Sequence, residues 1–122
     1  TYDFVLNDGS YLGGGISPGF QLRFRALHDY TAKLPLVTKV SETPLVGNST
    51  VSCIESGVIN GMVAEIIGII NRYNEQYADF TIILTGGDAE FLATQLKNGI
   101  FADSNFMQRA LYALYQFYNP ND

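Results

Sequence analysis

Apolar and polar positions along the chain change period several times, and each change marks an element. Residues 1–6, Thr1-Tyr2-Asp3-Phe4-Val5-Leu6, read as a strand. Asn7-Asp8-Gly9-Ser10 follows as a turn, with Asp-Gly as its hairpin signal. Residues 10–16 return as a second strand carrying Gly13-Gly14-Gly15. Ser17-Pro18 then offers an N-cap with proline at the first helical position. The spacing of Leu22, Arg25-Ala26 and Tyr30 predicts a helix over residues 18–33, stopped by Leu34-Pro35. Residues 36–48, with Pro44 and Gly47-Asn48, read as an irregular connector.

A longer helix is expected from Ser49 or Thr50, either of which could cap it, to about residue 77. Val51, Ile54, Val58, Met62, Ile66 and Ile70 mark one face, and Ile59, Val63 and Ile67 widen it. That stripe is broader than a one-sided surface helix needs. Gly57 and Gly61, four apart, share a face on which another backbone can come close, inside the domain or in a dimer. Residues 80–84 read as a buried strand, Thr85-Gly86-Gly87-Asp88 as a loop, and Asp88 as the cap of a helix Ala89–Leu96. A short strand over 99–102 and a last helix from Asn105 to about Phe117 complete the chain. The aromatics of that helix, Phe106, Tyr112, Tyr115, Phe117 and Tyr118, read as core and interface packing. A hairpin followed by helices alternating with short strands predicts an α/β layered domain.

Composition narrows the functional classes. The 122 residues suffice for one domain with one core, and 47% hydrophobic with 16% charged residues is globular and charge-poor. Part of the apolar content is therefore expected to cover a partner or another domain. The net charge is −5 and the pI about 4.6. The basic residues Arg23, Arg25, Lys33, Lys39, Arg72, Lys97 and Arg109 are scattered, without the stripe a nucleic-acid surface needs. Cys53 is the one cysteine, which excludes an intrachain disulfide or a cysteine zinc site and fits a reducing compartment. No signal peptide is visible, and residues 58–70, interrupted by Asn60, Glu65 and small residues, read as too short and polar for a membrane span. Thr1 opens mid-strand without an initiator methionine, so residue 1 reads as a point inside a longer chain.

Three places could carry chemistry. Thr1 and Asp3 place a hydroxyl and a carboxylate beside the hairpin, where they could touch phosphate or a metal-bound water. Gly86-Gly87 removes side chains between a strand and a helix, where a ligand could approach the backbone. The loop lacks the Gly-Lys-Ser or Gly-Lys-Thr of a Walker sequence, and an ordinary tight turn would look the same. Gly47-Asn48-Ser49-Thr50 gathers hydroxyls and N–H groups at a helix start, which capping alone also explains. His28, the one histidine, sits beside Asp29 and reads as a surface or packing residue. There is no Ser-His-Asp arrangement and no metal-ligand cluster.

The order of these features carries a resemblance. Tyr11-Leu12-Gly13-Gly14-Gly15-Ile16-Ser17-Pro18-Gly19 resembles the Gly-Gly-x-Ile-x-Pro-Gly signature of type III pantothenate kinases. Thr31-Ala32-Lys33-Leu34-Pro35 resembles their Thr-Ala-x-Leu-Pro segment. Gly47-Asn48-Ser49-Thr50 with Ser56-Gly57 and Gly61 is similar to their Gly-x-Asn-Thr…Ser-Gly…Gly helix start, with Asn-Ser-Thr in place of a basic residue, Asn and Thr. Leu84-Thr85-Gly86-Gly87 is similar to their adenosine motif.

The resemblance implies a ribonuclease-H-like lobe of the superfamily of actin, hexokinase and the heat-shock ATPases (ASKHA). Residues 1–122 would be the C-terminal lobe, with its partner N-terminal lobe outside this sequence. It implies ATP-dependent phosphorylation of pantothenate to 4′-phosphopantothenate, the first step of coenzyme A biosynthesis. Mg²⁺ and a monovalent cation, K⁺ or NH₄⁺, would assist. Thr50 would contact pantothenate, and Thr1, Gly86 and Gly87 would contact ATP. No catalytic or metal-binding residue is carried over, because the family's aspartates lie before residue 1, and the lobe alone would be inactive. A cytoplasmic homodimer without nucleic-acid or membrane partners is expected. The alternatives are a non-catalytic transcriptional accessory protein of the family, a sugar or acetate kinase of the superfamily, and a dimerisation module.

Overall fold

A computed structural model describes residues 1–38, 40, 42–77, 79–96, 100–103 and 105–121. Lys39, Lys97 and Gly99 of the sequence reading lie outside the described residues. The chain divides into two compact units, Thr1–Met62 and Val63–Asp122.

The first unit opens with an antiparallel hairpin, β1 (Tyr2–Val5) against β2 (Tyr11–Gly15). The turn forms at the Asp-Gly signal: the Gly9 N–H donates to Leu6 O at 2.9 Å, and the Ser10 N–H reaches Asp8 Oδ1 at 2.8 Å. The register runs Tyr2↔Gly15 to Phe4↔Gly13 and then slips, so Val5 faces Tyr11. Leu12 is the extra residue of this bulge, next to Gly13 at φ +94°.

Helix α1 (Phe20–Asp29) is shorter than its pattern implied. Gly19, extended at ψ 178°, is the N-cap, so Ser17 does not cap and Pro18 is not the first helical residue. Arg23 explains the displacement. Its guanidinium reaches back to donate to Pro18 O at 2.8 Å and to Ser17 Oγ at 3.1 Å, holding both residues ahead of the helix. At the other end the Thr31 hydroxyl donates to the Leu27 carbonyl. His28 Nδ1 donates to Leu34 O at 2.7 Å, because a carbonyl can only accept. These bonds turn the chain at Tyr30, before Lys33 is reached. Phe20 and Phe24, one turn apart, are the buried residues of α1.

Helix α2 (Thr50–Gln76) begins in the first unit and ends in the second. Ile54, Val58 and Ile59 join Phe20, Phe24 and Val37 as the buried apolar set of the first unit, with Ile59 only 2% exposed. The helix also binds the connector: Ser56 Oγ donates to Leu45 O at 2.7 Å, and Asn60 Nδ2 to Pro44 O at 3.1 Å. At 27 residues α2 matches the helix expected from residue 49 or 50 to about 77, but it is longer than the apolar stretch 58–70 weighed against a membrane span, and by length and composition alone it could cross a membrane.

In the second unit β3 (Ile82–Leu84) and β4 (Ile100–Ala102) pair in parallel through the crossover helix α3 (Ala89–Leu96). Ala89, Leu92 and Leu96 are its buried side chains, spaced for one helical face. The Asp103 N–H donates to Leu84 O at 2.8 Å and prolongs the pairing. Tyr73 meets Phe80 edge-on, with ring centroids 6.4 Å apart. Helix α4 (Phe106–Tyr118) forms where expected, but every residue along it is exposed, so its aromatics are not core of this chain. Arg109 pairs with Asp103 ahead of it. The architecture is α/β, with one two-stranded sheet in each unit among the described residues.

Candidate functional site

Residues 47–50 form one wall of an open cleft of about 880 Å³ in the first unit. The loop lies flat on the first turn of α2: a Cβ at Gly47 would stand 2.4 Å from the Cys53 nitrogen. Only a residue without a side chain lets the backbone come this close. Leu27, Leu34, Cys53, Ile54 and Gly57 complete its lining. Two separated sequence features, Thr31 to Pro35 and Gly47 to Thr50, therefore meet in one place through Leu34. None of the described residues lining this cleft is charged.

Capping of α2 falls to Ser49. Its hydroxyl accepts the Ser52 N–H at 3.1 Å, and the Ser52 hydroxyl accepts the N–H groups of Asn48 and Ser49, both at 2.9 Å. This is a reciprocal capping box with serine at its third position. Thr50 is exposed and lines the cleft. Among the described residues no hydrogen bond engages its hydroxyl or its N–H, nor the N–H of Val51. The cleft thus holds one unused hydroxyl and two unused N–H groups, at the positive end of a 27-residue helix. Such a set can bind a polar ligand or a carboxylate without a cationic side chain.

A second cleft, of about 450 Å³, lies in the second unit and contains Gly86 and Gly87. They follow the C-terminal end of β3, where parallel α/β units bind ligands. Gly86 has φ +99°, a conformation that side chains resist, and its carbonyl accepts the Ala89 N–H at 3.2 Å. Gly87 lacks that constraint, and a Cβ there would meet nothing within 4 Å. The expected Asp88 cap is made by its backbone: Asp88 O accepts the Leu92 N–H at 2.9 Å, and no side-chain bond of Asp88 occurs among the described residues.

Thr1 and Asp3 lie on the exposed hairpin. Asp3 accepts the Tyr11 phenol at 2.7 Å and the Thr1 hydroxyl at 3.1 Å. These two donors, Tyr11 first, hold the Asp3 carboxyl below its ordinary value and push the Tyr11 phenol above its own. Neither Thr1 nor Asp3 lines either cleft. Among the described residues no group of three or more His, Cys, Asp and Glu could hold a metal ion.

Sequence reasoning missed Leu27, Cys53 and Ile54 as wall residues of the first cleft, and Glu90, Met107 and Gln108 of the second. Glu90 could have been found, one helical turn beyond Gly86 and Gly87. Met107 and Gln108 could not, because they reach the cleft from a different element.

Comparison with known proteins gives one answer. The family model of type III pantothenate kinase matches residues 1–72. The chain is 53% identical over 122 residues to a type III pantothenate kinase of Flavobacterium johnsoniae, covering 100% of this chain and 50% of that protein. It is 52% identical over 117 residues to one from Flavobacterium psychrophilum, at 96% and 48% coverage. The match in Bacteroides fragilis is 40% over 119 residues, at 98% and 49% coverage. The chain spans about half the length of the curated relatives it matches.

Proposed function

The chain belongs to the type III pantothenate kinase family, and we propose that it forms part of an enzyme that phosphorylates pantothenate with ATP. In this reading residues 1–122 are one ribonuclease-H-like lobe of an actin-type kinase. The full-length protein moves the γ-phosphoryl group to the primary hydroxyl of pantothenate. The new P–O bond forms as the β–γ bridge breaks, leaving ADP and 4′-phosphopantothenate, and opening coenzyme A biosynthesis in the cytoplasm. Such transfer depends on positioning and charge stabilisation.

The observation that carries this reading is the unused Thr50 hydroxyl in a neutral cleft. Pantothenate presents a carboxylate, an amide and two hydroxyls, which need neutral donors and acceptors. Thr50 and the free N–H groups of α2 supply them, and Leu27, Leu34 and Ile54 face the hydrocarbon part. ATP is assigned to Gly86-Gly87. No residue of this chain is assigned to take the hydroxyl proton. Mg²⁺ and a monovalent cation are included as the cations that accompany ATP; the described residues offer them no ligand cluster, and no step is routed through them. The assembly is a homodimer using the exposed face of α2.

The test is phosphorus NMR of the full-length protein with ATP, Mg²⁺, K⁺ and pantothenate. Stoichiometric ADP and 4′-phosphopantothenate are expected. Absence of the phosphomonoester signal, with folded protein, rejects the reading.

A further inference from the structure

Three elements close the second cleft: the loop after β3 with Thr85, Gly86 and Gly87, the first turn of α3 with Glu90, and the first turn of α4 with Met107 and Gln108. Its volume of about 450 Å³ falls within the usual range of small-molecule sites. The charge of its lining is informative. Glu90 is the one ionisable side chain among the described lining residues, and none is basic. A carboxylate without a compensating cation repels a phosphate chain. The same carboxylate accepts two hydroxyl donors at once, which suits a ribose diol. Glu90 is exposed and makes no side-chain hydrogen bond or ion pair among the described residues, so both its oxygens face the cleft or solvent. The neighbouring wall also has the chemistry of a base site: the Met107 thioether is polarizable and apolar, and an amide such as Gln108 can pair with the donor–acceptor edge of adenine.

We propose that Glu90 binds the ribose hydroxyls of the nucleotide and that Met107 and Gln108 form the wall against its base, so that the phosphate chain leaves the cleft past Gly87. This rests on the reading of ATP as the phosphoryl donor. Glu90 also orients the nucleotide, because the reversed placement sets phosphate against its carboxylate.

The experiment uses the full-length enzyme with ATP and with 2′,3′-dideoxy-ATP as donors. Wild type is expected to show a KM for the dideoxy nucleotide about tenfold above that for ATP. In Glu90→Ala the KM for ATP rises to about the dideoxy value, while the KM for dideoxy-ATP and that for pantothenate stay within about twofold. Alanine at an exposed helical position keeps the fold, which a thermal melt checks. An unchanged ATP/dideoxy-ATP ratio in Glu90→Ala, or a wild type that does not discriminate, overturns the proposal. Gly87→Val separates the two levels. If it raises the KM for ATP while the ratio in Glu90→Ala persists, only the ribose assignment falls. If it leaves the KM for ATP unchanged, the assignment of the nucleotide to this cleft falls together with the ribose assignment, while ATP as the phosphoryl donor stands on the product measurement.

Discussion

Ser49 and Ser52 hold each other at the start of α2: the Ser49 hydroxyl takes the Ser52 N–H at 3.1 Å, and the Ser52 hydroxyl takes the Ser49 N–H at 2.9 Å. The cap is complete without Thr50. The two residues therefore separate experimentally. Ser49→Ala removes a cap and should cost about 1 kcal/mol of stability in denaturant unfolding. Thr50→Ala should leave stability nearly unchanged and lower kcat/KM for pantothenate by roughly 1–3 kcal/mol, because a buried ligand group loses its partner. Thr50→Ser should restore most of that loss. A Thr50→Ala enzyme within about twofold of wild type in kcat/KM rules out the substrate contact.

Gly86 and Gly87 should behave differently although they are neighbours. Gly86 has φ +99°, so valine there strains the backbone and should lower thermal stability. At Gly87 a side chain meets nothing within 4 Å, so the folded chain accepts it. Gly87→Val is expected to keep the melting temperature while raising the KM for ATP more than that for pantothenate. Equal effects on both substrates, or a collapse in stability, would argue against a nucleotide passing over Gly87.

The hairpin predicts a pH dependence with a definite sign. The Tyr11 phenol is the largest cause of the lowered Asp3 pKa, followed by the Thr1 hydroxyl. A depressed carboxylate pKa contributes stability above the unfolded value and loses it as pH falls through the folded value. A raised phenol pKa contributes below its unfolded value and is lost as pH rises through the folded one. The Tyr11–Asp3 contact should thus be constant across neutral pH and weaken at both extremes. Tyr11→Phe should move the Asp3 carboxyl titration, followed by carbon NMR, upward toward its ordinary value. An unmoved Asp3 midpoint would show that the contact is not populated in solution.

Much of this arrangement was legible because it depends on local chemistry. Asp8-Gly9 fixes its turn within four residues, and the α/β character follows from the alternation of short strands with helices, although the parallel pairing of β3 with β4 is not read from it. What misled was tertiary capture of local signals. Ser17-Pro18 has the form of a helix start, but Arg23, six residues on, binds both and moves the first helical residue to Phe20. Thr31 and His28 end α1 through bonds to the Leu27 and Leu34 carbonyls, before Leu34-Pro35 could act. In α2 the choice between Ser49 and Thr50 as cap could not be made from residue type, since both are good caps. Only the Ser52 hydroxyl decides it. The aromatics of α4 read as core and interface packing because large apolar residues usually find a partner; among the described residues all of them are exposed, which leaves only the interface part of that reading.

One face of α2 carries a row of small residues. Gly57, Gly61, Ala64 and Gly68 are all exposed and fall on one face of the helix. A Cβ at Gly57, Gly61 or Gly68 would meet nothing within 4 Å. Within one chain, then, larger residues there are sterically free, and Gly61→Leu or Gly68→Leu, which lie outside the cleft lining, should gain roughly 0.6–0.8 kcal/mol from helix propensity alone. A dimer reverses the sign. If two copies of α2 approach across this face, as in a closed two-fold assembly, the added side chains overpack the interface and cost about 1–3 kcal/mol. Sedimentation of the full-length protein at micromolar concentration should therefore give a dimer for wild type and a shift toward monomer for either variant. The melting temperature of the variants should fall with the dimer and become dependent on protein concentration. A monomeric wild type, or leucine variants that sediment as wild type and melt higher, would remove α2 from the interface.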